Sequence, residues 1–294
     1  MPGPVEVKLD QLPVLPAVVT RLMSLSPGSD GYFEEVLSIS SEDPALAVRV
    51  IHAANSALSA PRQPIETLQG AVARLGAAHI GQLVAAMAVK EVFVPHSQGE
   101  VDLWIHAVEV ATACRLMVAS APFGVDQHHA YLCGLLHDIG RFVMFDQLPE
   151  HLRGVDAPGW TTPSEYIAIE SELFGFDHAD IGQRLCMKWS IPKRIASVVH
   201  DHHRRQEMQP PVPADARLVA LVQIADRLSV QSRRGGFAGI GDDDREQLTR
   251  VIIDTCIDPE WPAPPLAPGI IAGLVPHVRR AAQAAIDHLD LTCA

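Results

Sequence analysis

The residues of this chain best suited to chemistry are imidazoles and carboxylates set into apolar helical patterns. The densest case is Leu132-Cys133-Gly134-Leu135-Leu136-His137-Asp138-Ile139-Gly140. A buried polar group needs a partner, and a buried charge must be paired or hold a metal. Adjacent His137 and Asp138 can be two ligands of one cation, with Gly140 letting another backbone come close. The plainer reading is a helix end whose side chains hydrogen-bond to neighbouring loops. Five further residues shift the balance. His106 shares a helical face with Val110, Ala113 and Met117, and His178 shares one with Ile181, Leu185 and Trp189. His202 extends the stripe of Ile195, Val198 and Val199, with His203 beside it. Asp226 ends the apolar run of Leu218, Leu221, Val222 and Ala225.

Each of these alone reads as a satisfied core residue. Together, five inward imidazoles and two inward carboxylates need many separate partners, or one or two divalent cations at the centre of a helical bundle. His106, His137, Asp138, His178, His202, His203 and Asp226 are therefore the candidate metal ligands. Imidazole and carboxylate suit iron, zinc, manganese, nickel or cobalt without choosing among them. Such a centre acidifies water and neutralises phosphoryl oxygens. Arg141 lies one helical turn after His137 and Asp138, placed to bind a phosphate oxygen bidentately or to form a surface salt bridge. In an enzyme, Asp138 and Arg141 are the catalytic candidates. An oxygen-using di-iron enzyme is also chemically allowed. The chain has no phosphate-cradling glycine loop and no G-x-S-x-G nucleophile elbow.

The elements that must position these residues read as helices throughout. Residues 9–98 give several short ones, carried by Leu12, Leu15 and Leu22; by Leu46, Val50 and Ala53 behind an Asp43-Pro44 cap; and by Ile65, Leu68, Val72 and Leu75 up to Gly76. A fourth stretch covers about Ala77–Phe93. His52 and His79 stand alone there, and no strand alternation is visible. Residues 95–102 form a polar break. A helix apolar almost all round starts at Leu103, and one helix covers about His129–Phe145. Residues 146–163 read as a loop, and an amphipathic unit begins near Ser164. Asp177 caps a helix with Asp180 three residues on. Ser190-Ile191-Pro192 and Pro210-Pro211 mark breaks. The tail has loop chemistry at Gly235-Gly236 and Asp242–Asp244, a Pro-rich linker over 258–268, and a closing helix from about Gly269 interrupted at Pro276. The expected units are 9–98, 99–235 and 236–294.

Composition bounds the function. The 294 residues are 48% hydrophobic and 20% charged, which is the balance of a packed globular chain. A net charge of −12 argues against bulk nucleic-acid binding, though not against a local phosphate pocket. The cysteines Cys114, Cys133, Cys186, Cys256 and Cys293 are odd in number and widely spaced, so they read as reduced core thiols. No apolar run reaches the length of a membrane span, and the start lacks the pattern of a signal peptide. The expectation is a cytoplasmic protein without membrane partners.

In its ordered pieces the chain resembles the HD superfamily of metal-dependent phosphohydrolases, and more closely the HDOD ("HD-related output domain") family. The pieces are Leu12-Pro13-x-Leu15-Pro16, Asp43-Pro44-Ala45-Leu46 through Ala54-Asn55-Ser56, Leu75-Gly76, Leu103-Trp104-x-His106, Gly134–Gly140, Asp177-His178-Ala179-x-x-Gly182, Trp189-x-Ile191-Pro192 and His202-His203. The resemblance spans roughly residues 10–230. It implies an all-helical fold, an N-terminal bundle packed on an HD-type bundle. It also implies a regulatory role in bacterial signal transduction, with signalling proteins as partners and generally without demonstrated catalysis. Here the seven candidate ligands match in order the metal set of the HD-GYP phosphodiesterases, which implies a loaded centre. Arg141 replaces the lysine usual in active members. Arg204-Arg205-Gln206-Glu207 follows His203 in place of the Gly-Tyr-Pro signature. The resemblance therefore implies a metal-stapled regulatory module. The alternative is a phosphohydrolase acting on a nucleotide or other phosphoester, with cyclic di-GMP disfavoured.

Overall fold

The computed structural model describes residues 7–12, 14–15, 17–24, 29–42, 44–56, 59, 61–149, 163–204, 206, 212–261, 263–289 and 291. The expected Asp43 cap, most of the 146–163 loop, the Pro210-Pro211 turn, Cys293 and the first six residues lie outside these. Among the described residues every regular element is helical. The N-terminal elements are α1 (Ala17–Ser24), α2 (Tyr32–Glu42), α3 (Pro44–Ala54), α4 (Leu68–Leu75) and α5 (Ala77–Val92). They enclose a small core that includes Leu22, Val36, Ile39, Val50, Val72 and Ile80. The Asn55 side chain holds the irregular stretch after α3. Its Oδ1 accepts from the Ile65 amide and its Nδ2 donates to the Ile65 carbonyl, both at 2.8 Å. Gly76, at φ +84°, makes the sharp bend between α4 and α5.

The second part is built on α6 (Gln98–Ala119). This helix starts before Leu103, inside the stretch read as a polar break. Ser97 caps it by accepting from the Glu100 amide, and Glu100 reaches back to the Ser97 hydroxyl and the His96 amide. The Ser-x-x-Glu spacing is a capping box that marks this start in the sequence. The single helix expected over 129–145 is two: α7 (Gln127–Leu136) and α8 (Ile139–Gln147). Asp138, at φ −98° and ψ 17°, leaves helical geometry and breaks them apart. Without the break, two consecutive residues would point about 100° apart on one helix. With it, His137 and Asp138 both face inward.

The remaining helices are α9 (Pro163–Phe174), α10 (His178–Lys188), α11 (Lys193–Asp201), α12 (Ala214–Arg233), α13 (Arg245–Thr255) and α14 (Pro268–Leu289). Asp177 caps α10 as expected, accepting from the Asp180 amide at 2.8 Å. One reading of the tail holds and one is corrected. Asp242–Asp244 is loop, as expected, and leads into α13, with Asp244 accepting from the Gln247 amide. Pro276 does not interrupt the closing helix; it sits inside α14, with its ring buried. Proline removes one backbone donor from a helix, and here tertiary packing outweighs that loss. No single helix among the described residues is long and apolar enough to cross a membrane.

One large core runs from Val7 to Leu289, with residues from all three expected units. Helix α6 lies at its centre and packs against α7, α12 and α14, while α10 packs against α8 and α11. Two glycines permit the closest approaches of one helix backbone to another. A Cβ at Gly134 would lie 2.6 Å from the Ala111 Cα, and one at Gly140 would lie 1.9 Å from the His178 carbonyl oxygen. The second approach brings α8 and α10 together and so sets His178 beside Asp138.

Candidate metal centre

Five parts of the fold deliver the seven candidate ligands to one place. Helix α6 supplies His106, and the α7–α8 break supplies His137 and Asp138. The first residue of α10 is His178. His202 caps the C-terminus of α11 with His203 next to it, and α12 supplies Asp226. All are buried except His203, which is partly exposed. Their ligand atoms form two groups. One is Asp138, His178, His202 and His203; the other is His106, His137 and Asp226.

Asp138 faces both groups. Its Oδ1 lies 3.2 Å from His178 Nε2 and 3.6 Å from His202 Nε2. Its Oδ2 lies 3.7 Å from the Nε2 atoms of both His106 and His137. Within the first group, His178 Nε2 is 3.3 Å from His202 Nε2 and 3.1 Å from His203 Nε2. Within the second, His106 Nε2 is 3.2 Å from His137 Nε2 and 3.3 Å from Asp226 Oδ1.

The far side of each ring fixes which nitrogen faces inward. His137 Nδ1 donates to the Gly134 carbonyl at 2.7 Å, and His202 Nδ1 donates to the Val199 carbonyl at 2.6 Å. His178 Nδ1 lies 2.6 Å from Glu170 Oε2. His106 Nδ1 lies 2.8 Å from Ser229 Oγ, whose own proton goes to Glu109 Oε2 at 2.5 Å. With Nδ1 protonated, every one of these rings turns an Nε2 lone pair toward the same two points. Facing lone pairs and carboxylates repel unless positive charge sits between them. With metal–nitrogen bonds of about 2.0–2.1 Å, the ligand–ligand edges of a tetrahedral or octahedral site are roughly 2.9–3.4 Å. The observed imidazole edges fall in that range, so the residues fit one cation in each group with Asp138 between them.

The protonation preferences agree with this. Burial, with the neighbouring imidazoles, holds His137 down to about 4 and His203 well below its ordinary value. Burial also opposes charge on His178, but the Glu170 and Asp138 carboxylates outweigh it and raise that ring to about 10. Burial disfavours ionised Asp138 and Asp226 too, yet the imidazoles around them, with Arg141 beside Asp138, hold both carboxyls below the usual range. Without a metal, one proton on His178 serves as the cation of its group.

Arg141 lines the cavity edge and is paired with a candidate ligand. Its Nη1 donates to Asp138 Oδ2 at 3.1 Å, and its guanidinium lies 4.8 Å from the centre of the Tyr166 ring. A cavity of about 610 Å³ opens over the centre. It is lined by His106, Asp138, Arg141, His178, His203 and Asp226, by Arg227, Val230, Gln231, Arg233 and Arg234 at the end of α12, and by Asp254, Thr255, Ile257, Asp258 and Pro259 where α13 ends.

The sequence reading missed Glu170, Tyr166, Glu109 and Ser229. Tyr166 and Glu170 stand four apart on α9 and so share a face, which is the available signal. Nothing in their spacing ties that face to His178. Ser229 lies three residues beyond Asp226 on α12, and Glu109 three beyond His106 on α6. Both are one turn from a ligand.

Residues 12–205 match the HDOD domain family. Among curated proteins, an uncharacterised protein of Treponema pallidum is 23% identical over 208 residues, covering 67% of this chain and 38% of that protein. Ribonuclease Y of Oleidesulfovibrio alaskensis is 33% identical over 124 residues, covering 42% of this chain and 17% of that protein. The chain thus spans less than half the length of either. Among solved structures, an HDOD domain protein of unknown function from Geobacter sulfurreducens is similar at a TM-score of 0.70 and 26% identity, covering 99% of this chain and 95% of that one. A candidate phosphohydrolase from Shewanella amazonensis is similar at a TM-score of 0.70 and 24% identity, with 96% of each chain covered. A candidate signal transduction protein from Marinobacter aquaeolei is similar at 0.69 and 21%, covering 98% and 62%.

Proposed function

The chain belongs to the HDOD family, and we propose that it is a bacterial signalling protein whose candidate metal centre binds and hydrolyses a phosphoester. One observation carries this reading. Five of the seven candidate ligands, drawn from both groups, line the floor of the 610 Å³ cavity, a volume within the range of small-molecule sites, while His137 and His202 lie behind them in the core. A metal that served only to staple helices would need no such access. The residues fit one or two divalent transition metals, among them iron, zinc, manganese and nickel. When bound, such cations supply Lewis-acid charge for phosphoryl oxygens and acidify water. The chain's own side chains do the rest. Asp138 holds the two groups together. Arg141, steadied by Asp138 and the Tyr166 ring, presents a guanidinium at the cavity edge, and Arg227, Arg233 and Arg234 stand along the wall beside Asp102, Asp254 and Asp258. The ligand class is a nucleotide or another phosphoester.

A second reading keeps the metal and drops the turnover. Arg141 is already committed to Asp138, and Arg233 to Asp102. A centre with its nearest cations paired suits a regulatory module that binds signalling proteins through its N-terminal bundle. The two readings part on one experiment: metal-loaded protein is assayed against nucleotides and linear and cyclic dinucleotides. Hydrolysis predicts metal-dependent phosphoester cleavage that His137→Ala abolishes while the helical signal in circular dichroism persists. No cleavage across the set supports the regulatory reading.

A further inference from the structure

We infer that Glu170 is a positioning residue that makes the two metal positions unequal, so that the His178 position holds its metal more tightly. The inference rests on the metal-centre reading above and concerns residues outside the ligand set. Glu170 sits on α9, eight residues before His178, and its side chain is fully buried. One of its oxygens, Oε2, accepts twice from the same residue: from the His178 backbone amide at 2.9 Å and from the His178 ring Nδ1 at 2.6 Å. The amide bond fixes where α10 begins. The ring bond fixes the tautomer and the rotation of the imidazole, so Nε2 faces Asp138, His202 and His203. The two contacts act as one hinge pin and set the ring relative to its own backbone.

The other three backed rings lack this arrangement. His137 and His202 lean on carbonyls three residues earlier in their own chain segments. His106 reaches a carboxylate only through the Ser229 hydroxyl. A carboxylate bonded directly to a ligand imidazole raises its basicity toward the metal more than a neutral acceptor does, and loss of such a partner costs about 10–100-fold in metal affinity. The His178 group also has three imidazoles and one carboxylate, against two imidazoles and Asp226 in the other. Both differences favour the His178 position for a nitrogen-preferring metal. The remaining Glu170 oxygen, Oε1, is buried without a hydrogen-bond partner among the described residues. Burying a carboxylate at that cost is explained by the work Oε2 does on His178.

The test titrates zinc into metal-free protein, wild type beside Glu170→Gln, and follows binding by calorimetry and circular dichroism. The expected wild-type isotherm has two unequal steps. In E170Q the tighter step weakens by about 10–100-fold and the weaker step stays in place, with the helical signal unchanged. Both steps at wild-type affinity in E170Q would overturn the inference and leave the metal centre standing. A wild type that binds no zinc would overturn the metal centre and this inference with it. A second measurement covers the case in which E170Q does not fold. In nitrogen-15-labelled wild type, the His178 Nδ1 proton should resonate downfield of the Nδ1 protons of His137 and His202, because it alone bonds a carboxylate directly. A His178 Nδ1 proton upfield of those two would overturn the assignment.

Discussion

At the scale of single residues, the candidate centre is built from imidazoles pointed inward, and burial and neighbouring charge shift several of the buried rings. This gives the metal-free protein a pH dependence with a definite sign. Burial lowers His137, and also His128 and His79 in the body of the fold, to about 4, against an ordinary value of 6.5. The unfolded chain takes up these protons as pH falls through 6.5, and the folded chain resists until about 4. Stability is therefore lost across that window. His178 works in the opposite sense. Raised to about 10, it contributes stability that is fully present below 6.5 and lost as pH rises toward 10. Thermal midpoints of chelator-treated protein should peak near neutral pH and fall on both sides, and a midpoint that rises steadily down to pH 4 would contradict this. The seven candidate ligands stand out in the sequence because most of them lie on or beside apolar helical stripes, and the fold brings them together. Glu170 was not legible. Its link to His178 is made by the packing of α9 on α10, which no local pattern in either segment encodes.

At the scale of elements, the centre depends on two departures from regular helix. One is the break at Asp138, which turns what the sequence presents as one helix into two. The apolar pattern runs through the break unchanged, so periodicity alone hides it. The other is the approach of α8 to α10 at Gly140, which the glycine itself announces. Gly140→Ala would drive a Cβ into the His178 carbonyl and the Gly182 amide. The expected result is a loss of about 3 kcal/mol or more in denaturant unfolding, together with reduced metal content as His178 moves away. Wild-type stability and metal content in that variant would show that the two helices are not held in this register. The early start of α6 was also readable, through Ser97 and Glu100. The continuous α14 was not, because a buried Pro276 in a helix is stabilised by its surroundings.

At the scale of the whole molecule, the segment beyond the family match is part of the body. Helix α14 lies along α6, with Ile271 fully buried, and the stretch after α13 forms one wall of the metal cavity. Ile271→Ala should cost about 2–5 kcal/mol in unfolding while leaving metal content intact. No loss of stability would mean that α14 is only loosely attached. The central claim is the metal centre itself, and elemental analysis of freshly purified protein tests it most directly, wild type beside Asp138→Ala. The two ligand groups predict close to two equivalents of transition metal per chain, both lost or sharply reduced when the shared carboxylate is removed. A stably folded wild type that takes up no metal when transition metals are supplied would contradict the account, and the seven residues would then be partners only for one another.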